Sequence, residues 1–423
     1  MLEAANAHVF IVFIFFIGYA AIVFEHTLNV NKSASALVMA VLTWMLLFLA
    51  KGDSLATYTE SLSHHLSDIS QIIFFLLAAM TIVELIDSHK GFHIITDLIR
   101  TNSKKKILWI TGCASFFLSA LIDNLTTTIV MVTLLRRLVP EHRDRLLLGS
   151  AVVIAANLGG AWSPIGDVTT TMLWIRGYIS PMATIRSLFL PCLFSLLPAL
   201  WLVGRSMRGK IPQLTERSQE SLEPGARFIF FLSLIGFIMV PIFKAITGLP
   251  PFMSMLILLG ILWIITDLIH HDYEHRQHLL LHHVLTRIDV SGILFFFGIL
   301  LCIGSLDTIG VLKSFSLWLN EIANHQIGVI ALIIGLISAV VDNVPLIAAT
   351  MSMYDLTLFP ADSSLWQLIA YAGGTGGSLL VVGSAAGVAL MSLEKVNFFW
   401  YCKHISWIAL VSYLSGFALY LLF

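Results

Sequence analysis

Long apolar runs alternate with short polar stretches from Phe10 to the carboxyl terminus. A bilayer core about 30 Å thick needs about 20 apolar residues for each helical crossing, and most runs are of that length. The pattern therefore predicts an all-α polytopic membrane protein with about 10 full spans. The predicted crossings are 8–24, 34–50, 69–87, 146–175, 183–204, 228–243, 250–270, 288–304, 365–393 and 405–422.

Two further apolar stretches do not fit single crossings. Residues 107–139 are too long for one span, and basic loops flank them on both sides, so both ends should stay in the cytoplasm. Residues 326–356 have flanks poor in Lys and Arg, and they should enter from the outside. Both stretches are predicted as re-entrant hairpins, with tips at Asp123 and Asn124 in the first and at Asp342 and Asn343 in the second.

The second half of the chain repeats motifs of the first. The pattern Ser-Ala-x-x-Asp-Asn begins at Ser119 and again at Ser338, and glycine-rich segments at Gly159 and Gly376 follow in the same order. Ordered matches at nearly constant spacing indicate a duplication. An odd number of crossings lies between the hairpins, so the halves should have opposite orientations. Inverted repeats with interrupted helices are typical of secondary transporters, whose site lies near the bilayer midplane.

An inverted-repeat transporter fold divides the chain into two repeats with linkers and scaffold spans between them. Clustered glycines are predicted to interrupt one span of each repeat. The predicted parts are N-terminal spans in 1–68, repeat 1 in 69–204 with hairpin 107–139 and broken helix 146–175, a cytoplasmic linker in 205–227, scaffold spans in 228–270, a His-rich cytoplasmic linker in 271–287, and repeat 2 in 288–423 with hairpin 326–356 and broken helix 365–393.

Composition narrows the class of protein. Apolar residues make up 58% of the chain and charged residues only 12%, against about 25% charged in soluble domains, which excludes a cytosolic enzyme. The net charge is −1 and no long soluble stretch gathers basic residues, so no nucleic-acid partner is expected. Four scattered cysteines lack the close spacing of a metal site or a disulfide framework, and no cofactor is expected. The sequence leaves the oligomeric state open, a homodimer included.

Three aspartates are predicted at membrane depth: Asp123, Asp167 and Asp342. An ionised carboxylate there costs at least about 2.5–3.5 kcal/mol, so each needs a partner or a function. Helix capping is the simple alternative for the hairpin aspartates. Oxygen ligands suit Na⁺ or Li⁺ at Asp123 and Asp342, and a bound cation would compete there with protons. The candidate ligands and proton carriers are Asp123, Asn124, Thr126, Thr127, Asp167, Asp342 and Asn343.

Other polar residues of the apolar segments are weaker candidates. Glu84 is either a relay acid or an interfacial residue, and small polar residues also pack helices together. The possible accessory residues are Glu84, Asn157, Ser163, Thr169, Thr375, Ser378 and Ser384.

Histidines concentrate in one short segment, which favours a solvated cytoplasmic linker over a metal site or a pH sensor. These histidines are His270, His271, His275, His278, His282 and His283. His89 and His93 are similarly interpreted as surface residues.

Four motifs carry a resemblance to a known family. The segments 80–87, 121–128, 156–170 and 341–345 are similar to those of the NhaD-type sodium/proton antiporters, from a superfamily that also includes arsenite pumps and dicarboxylate carriers. The resemblance implies export of Na⁺ or Li⁺ against entering protons, in a bacterial inner membrane or a plastid envelope. It places the family's Asp-Asn pairs on the two hairpin tips, its second-motif acid on Asp167 and its early acid on Glu84.

Two other functions are alternatives to antiport. A proton- or sodium-coupled carrier of an oxyanion, dicarboxylate or metalloid is the nearer alternative. Dicarboxylate carriers have a Ser-Asn-Thr signature at the hairpin tips, whereas Asp takes the Ser position twice here, at Asp123 and Asp342, which argues against an anionic substrate. An intramembrane aspartyl protease is the remote alternative.

Overall fold

The computed structural model describes residues 4–23, 25–50, 55–96, 101–207, 209–211, 222–271 and 273–422. These residues form 21 α-helices and one short 3-10 helix, with no strand among them. Eight of the described helices are long and apolar enough to cross a bilayer, or up to ten if bent pairs are counted as spans. The predicted all-α polytopic membrane protein is confirmed.

The first half contains ten helices. They are α1 Ala4–Val23, α2 Glu25–Leu28, α3 Lys32–Leu49, α4 Leu55–Ser88, α5 His93–Thr96, α6 Lys104–Ile122, α7 Asn124–Leu138, α8 His142–Ala161, α9 Val168–Ile175 and α10 Pro181–Ser206.

The described residues of the second half form eleven α-helices and the 3-10 helix. Its helices are α11 Ala226–Thr247, α12 Pro251–His270, the 3-10 helix Glu274–Leu279, α13 Leu281–Val284, α14 Val290–Thr308, α15 Val311–Ile322, α16 Ile327–Ile337, α17 Asn343–Met353, α18 Ser364–Gly376, α19 Ala385–Glu394, α20 Phe398–His404 and α21 Ser406–Leu422.

The interruptions fall where glycine, proline and the Asp-Asn pairs stand in the sequence. Helices α6 and α7 meet at Asp123, and α16 and α17 are separated by 338–342. The predicted broken helices are interrupted at 162–167, between α8 and α9, and at 377–384, between α18 and α19. A sharp bend of 119° separates α15 from α16, so the chain enters the second hairpin from a different direction.

Some predicted boundaries differ from the structure. Helix α4 has 34 residues, about 51 Å at 1.5 Å per residue, and it runs through the boundary predicted at 68/69. Polar residues in its first turns hid this extension, because they face solvent on an otherwise regular helix. The predicted linker 205–227 begins inside α10 and ends inside α11, and its residues 208 and 212–221 lie outside the described residues.

The two halves are built by the same contacts. The hydroxyl of Ser119 donates a hydrogen bond to the carbonyl of Ala156 over 2.6 Å. Ser338, the matching serine, donates to the carbonyl of Gly373 over 3.0 Å. In each half the repeated serine thus fastens the hairpin to the broken helix beside it.

Glycine is required at one point of each of these interfaces. A Cβ atom on Gly159 would overlap the carbonyl oxygen of Phe116, and one on Gly376 would overlap that of Gly335. The backbones of α8 and α6, and those of α18 and α16, therefore touch directly. Around this centre, α3 packs against α14 and α12 packs against α4.

Candidate functional site

The two hairpin tips converge on one carboxylate. The side-chain nitrogen of Asn124 donates to Oδ2 of Asp167 over 2.6 Å. From the opposite hairpin, the nitrogen of Asn343 lies 3.5 and 3.4 Å from Oδ1 and Oδ2 of the same group. All three side chains are buried. The equivalent tips, far apart in the chain, therefore share one centre.

Each tip aspartate caps the helix that follows it. Oδ1 of Asp123 accepts from the backbone N–H of Thr126 over 2.8 Å, and Oδ2 accepts from the hydroxyl of Thr126 over 2.9 Å. Oδ1 of Asp342 accepts from the N–H of Val344 over 3.3 Å. Both aspartates remain partly accessible, so capping leaves carboxylate oxygens that a cation can reach.

Asp123 also adopts a backbone conformation that side chains rarely occupy. Its φ is +101°, which costs of order 1–3 kcal/mol for a residue other than glycine. Asp342 has an ordinary φ of −47°. The first tip is thus held in a strained geometry that the second tip does not share.

Asp167 is surrounded by donors. As the N-cap of α9, its Oδ1 accepts from the N–H of Thr169 over 2.8 Å and from the Thr169 hydroxyl over 2.9 Å. A carboxylate can only accept hydrogen bonds, so the amide nitrogens of Asn124 and Asn343 must face it. Their carbonyl oxygens are thereby turned away from Asp167.

Asn157 connects the site to the second broken helix. Its Oδ1 accepts from the Asn124 amide over 2.9 Å. Its own amide nitrogen donates to the hydroxyls of Ser378 over 2.8 Å and Ser384 over 2.9 Å. Ser384 caps α19 in the way that Asp167 caps α9.

Other predicted site residues lie outside this network. Thr375 donates to the carbonyl of Tyr371 on its own helix, and the Ser163 hydroxyl accepts from Ile165 within a local turn. Glu84 lies late in α4, where its charge interacts with Asp87 and Arg287.

Thr127 differs from these residues. Its side chain is fully buried and its hydroxyl has no hydrogen-bond partner in the described part of the chain. A buried hydroxyl without a partner costs about 1–3 kcal/mol. It is therefore available to a ligand at the first tip.

Sequence reasoning missed two residues beside the second tip. The backbone N–H of Asp342 donates to the hydroxyl of Tyr19 over 3.2 Å, and the charge of Lys32 acts on the Asp342 carboxylate. Both belong to N-terminal helices more than 300 residues away in the chain. A short sequence motif cannot indicate a contact between residues so far apart in the chain.

The interpretation of the histidines needs correction. His89 and His270 are fully buried, and their Nε2 atoms lie 3.0 Å apart. Their predicted surface or solvated positions are therefore wrong. His271, His278, His282 and His283 are exposed as predicted, and the side chain of His275 lies outside the described residues. No group of three or more His, Cys, Asp and Glu side chains that could hold a metal occurs in the described part.

Two Asp-Asn tips, two broken helices and a buried polar centre between them are the arrangement of a membrane transporter. A family model described as citrate transporter matches residues 19–372. The chain belongs to this citrate transporter family and groups with the NhaD-type sodium/proton antiporters. It is a transporter and not an enzyme, so the aspartyl protease hypothesis is wrong.

Individual relatives agree with this assignment. The chain is 50% identical to sodium/proton antiporter 2 of Arabidopsis thaliana over 414 residues, which cover 96% of this chain and 98% of the relative. It is also 50% identical to sodium/proton antiporter 1 of the same plant, over 99% of this chain and 73% of the relative. The Na⁺/H⁺ antiporter NhaD of Alkalimonas amylolytica is 30% identical, over 96% and 89%. The predicted resemblance is confirmed.

Proposed function

We propose that the protein exchanges Na⁺ or Li⁺ for protons across a membrane and binds the cation between its two hairpin tips. The observation that carries this proposal is the convergence of Asn124 and Asn343 on Asp167. Three carboxylates then lie close enough for the charges of Asp123 and Asp342 to act on Asp167. Such a group attracts cations and is stable only when a cation or protons reduce its charge.

Different roles follow for the three aspartates. Asp123 and Asp342 are partly accessible, and their carboxylate oxygens keep lone pairs beyond the capping hydrogen bonds, so we assign them the cation. Thr126, Thr127 and the amide oxygens of the tip asparagines would complete the oxygen shell. Asp167, which already accepts from several donors, orients the two asparagines. Protons and the cation compete for the tip carboxylates, and this competition couples the two fluxes.

Anion transport is the alternative that the family description raises. A citrate or dicarboxylate carrier would need donors and positive charge where the substrate binds. The described hydrogen bonds of the site include none from Lys or Arg. The charge of Lys32 acts on Asp342, but it is outnumbered by three carboxylates. The charge of the site thus favours a cation.

Transport assays in proteoliposomes test the function. Purified protein is reconstituted with a pH-sensitive dye inside, a pH gradient is imposed, and Na⁺, Li⁺, K⁺ or citrate is added separately. We expect Na⁺ or Li⁺ to dissipate the gradient, whereas K⁺ and citrate leave it unchanged. A response to citrate alone would establish the anion carrier, and no response to any solute would overturn exchange.

Substitutions test the site. Asp123→Asn and Asp342→Asn should each abolish the response, since each removes one titratable ligand. Glu321→Gln is the matched control because it neutralises an exposed carboxylate on α15. Normal exchange in both Asn variants would refute the assigned site while leaving the function intact.

Three further proposals concern the setting of the protein. The repeats are opposed in the membrane, with both termini outside, which cysteine labelling from each side would test.

Two copies form a homodimer, which mass measurement in detergent would test. The protein resides in a bacterial inner membrane or a plastid envelope, and the plant relatives support the second location. Localisation of a tagged chain distinguishes them.

A further inference from the structure

Two buried histidines join the ends of α4 and α12. His89 directly follows α4, and His270 is the last residue of α12. Their Nε2 atoms are 3.0 Å apart, and Nδ1 of His89 lies 2.8 Å from the carbonyl oxygen of Leu85. Nδ1 of His270 is buried without a partner in the described part of the chain. Neither ring belongs to the ion site.

These contacts determine where the hydrogens are. A carbonyl oxygen only accepts, so Nδ1 of His89 carries the hydrogen and donates it to Leu85. A neutral imidazole has one N–H, which makes Nε2 of His89 an acceptor. The hydrogen between the rings therefore belongs to Nε2 of His270, and Nδ1 of His270 is bare. With both rings neutral, one N–H lies between them and no charge is buried.

An added proton has no favourable position. On Nε2 of His89 it would point at the N–H of His270 across 3.0 Å. On Nδ1 of His270 it would create a buried, charged donor without an acceptor. Burial lowers the pKa of His89 below its ordinary value. The contact is thus stable above the ordinary histidine pKa of about 6.5 and is lost progressively as the pH falls below it.

Several charged groups surround this end of the two helices. Glu223, before α11, forms an ion pair with Lys90 over 3.3 Å, and its charge acts on both rings. Charge on His278 also acts on both. The charged and titratable side chains on the elements around the two histidines are Glu84, Asp87 and Lys90 at α4, Asp267 on α12, Glu223 and Arg227 at α11, Arg276 and His278 on the 3-10 helix, and His282, His283 and Arg287 at and after α13.

We propose that the His89–His270 pair is a proton-sensing contact that holds α4 and α12 together in the active transporter and releases them when the surrounding solution becomes acidic. Basic residues at this end, such as Lys90 and Arg287, place it on the cytoplasmic side by the positive-inside rule. Helix α4 also packs against α9, whose N-cap is Asp167. Release would therefore slow exchange when the cytoplasm is already acidic, the condition under which further proton entry is harmful.

The test rests on the proposed exchange activity and uses its pH profile. Full-length protein is reconstituted, and Na⁺-dependent exchange is measured while the pH on each side is varied separately. His89→Gln and His270→Gln remove the titratable partner, so the acid limb of the profile should move by about half a pH unit or more. His282→Gln, an exposed histidine nearby, is the matched control and should retain the wild-type profile.

The outcomes separate the two proposals. Exchange that is absent in the wild type would overturn the proposed function. Wild-type exchange with identical acid limbs in both histidine variants would overturn the sensor. If the variants do not fold, amide hydrogen exchange of the wild type decides, after correction for intrinsic rates. Protection of residues 85–92 should hold above the ordinary histidine pKa of about 6.5 and fall as the pH is lowered below it, because burial lowers the pKa of His89. Constant protection would contradict the proposal.

Discussion

Nε of Arg136 donates a hydrogen bond to Oε1 of Glu394 over 2.7 Å. Arg145 donates from its own Nε to the other oxygen of this carboxylate over 3.1 Å. Arg136 lies on α7 and Glu394 ends α19, with only 2% of its surface exposed. One carboxylate thus joins the first hairpin to the second broken helix at the end opposite the tips.

Glu394→Gln should destabilise this junction. The two arginines would lose a charged partner, and a buried hydrogen-bonded group left without its partner costs about 1–3 kcal/mol. We expect a lower midpoint of thermal unfolding in detergent, measured by a thiol-reactive or scattering probe. Glu321→Gln provides the control for loss of an exposed carboxylate. Equal midpoints in both variants would show that the junction contributes little.

Alanine at the repeated glycines should disrupt both halves. Gly159→Ala and Gly376→Ala each place a Cβ atom against a backbone oxygen, so the hairpin must separate from its broken helix. We expect each variant to lower the yield of folded protein several-fold, as read from size-exclusion profiles.

Gly260→Ala on α12 is the matched control for these glycines. Beyond the helix's own nearby backbone, no atom of the described residues lies within 4 Å of the added methyl group. Alanine also favours a helix over glycine by about 1 kcal/mol. The yield should therefore be maintained. A normal profile for Gly159→Ala would contradict the close contact between α6 and α8.

Thr127→Val separates ligand binding from stability. Valine has nearly the same shape as threonine, and the hydroxyl it removes has no partner in the described part of the chain. The variant should unfold at an unchanged or higher temperature without Na⁺, yet show a KM for Na⁺ raised about tenfold, which corresponds to about 1.4 kcal/mol.

Thr128→Val is the matched control, and it makes the same chemical change on a neighbouring face of α7. Thr128 is equally buried, and its hydroxyl likewise has no partner in the described part of the chain. Its KM should not change. A similar rise in both variants would place the cation away from Thr127.

The two tip asparagines should contribute unequally to the exchange rate. Asn124→Ala removes contacts of 2.6 Å to Asp167 and 2.9 Å to Asn157, whereas Asn343→Ala removes contacts of 3.4 and 3.5 Å. Loss of hydrogen bonds to charged groups costs about 1.5–3 kcal/mol. We therefore expect the larger loss of exchange rate in Asn124→Ala. The reverse order in proteoliposomes would assign the main role to the second tip.

Much of the fold follows from local patterns in the sequence. Apolar run lengths predicted most of the spans, and the Asp-Asn pairs predicted the tips at Asp123 and Asp342, because breaks in a helix need residues that satisfy free backbone groups. The polar start of α4 was missed, since a helix longer than the bilayer need not be apolar throughout.

The sequence predicted which residues form the candidate site but not how they contact one another. The sequence indicated Asp167 as a carboxylate at membrane depth, yet the convergence of Asn124 and Asn343 on it depends on how three separate helices, α7, α9 and α17, pack together. The contacts of Tyr19 with Asp342 and of His89 with His270 likewise join positions about 180 or more residues apart. Such pairs leave no periodicity or spacing in a single chain.

Asn157 is hydrogen-bonded at once to Asn124 in one half and to Ser378 and Ser384 in the other. The halves cannot slide past each other at this point without exposing several buried polar groups to a medium that offers no replacement. The hairpins and broken helices should consequently travel as one rigid body, and the displacement that carries the ion from one side of the bilayer to the other must occur where this body meets the surrounding helices.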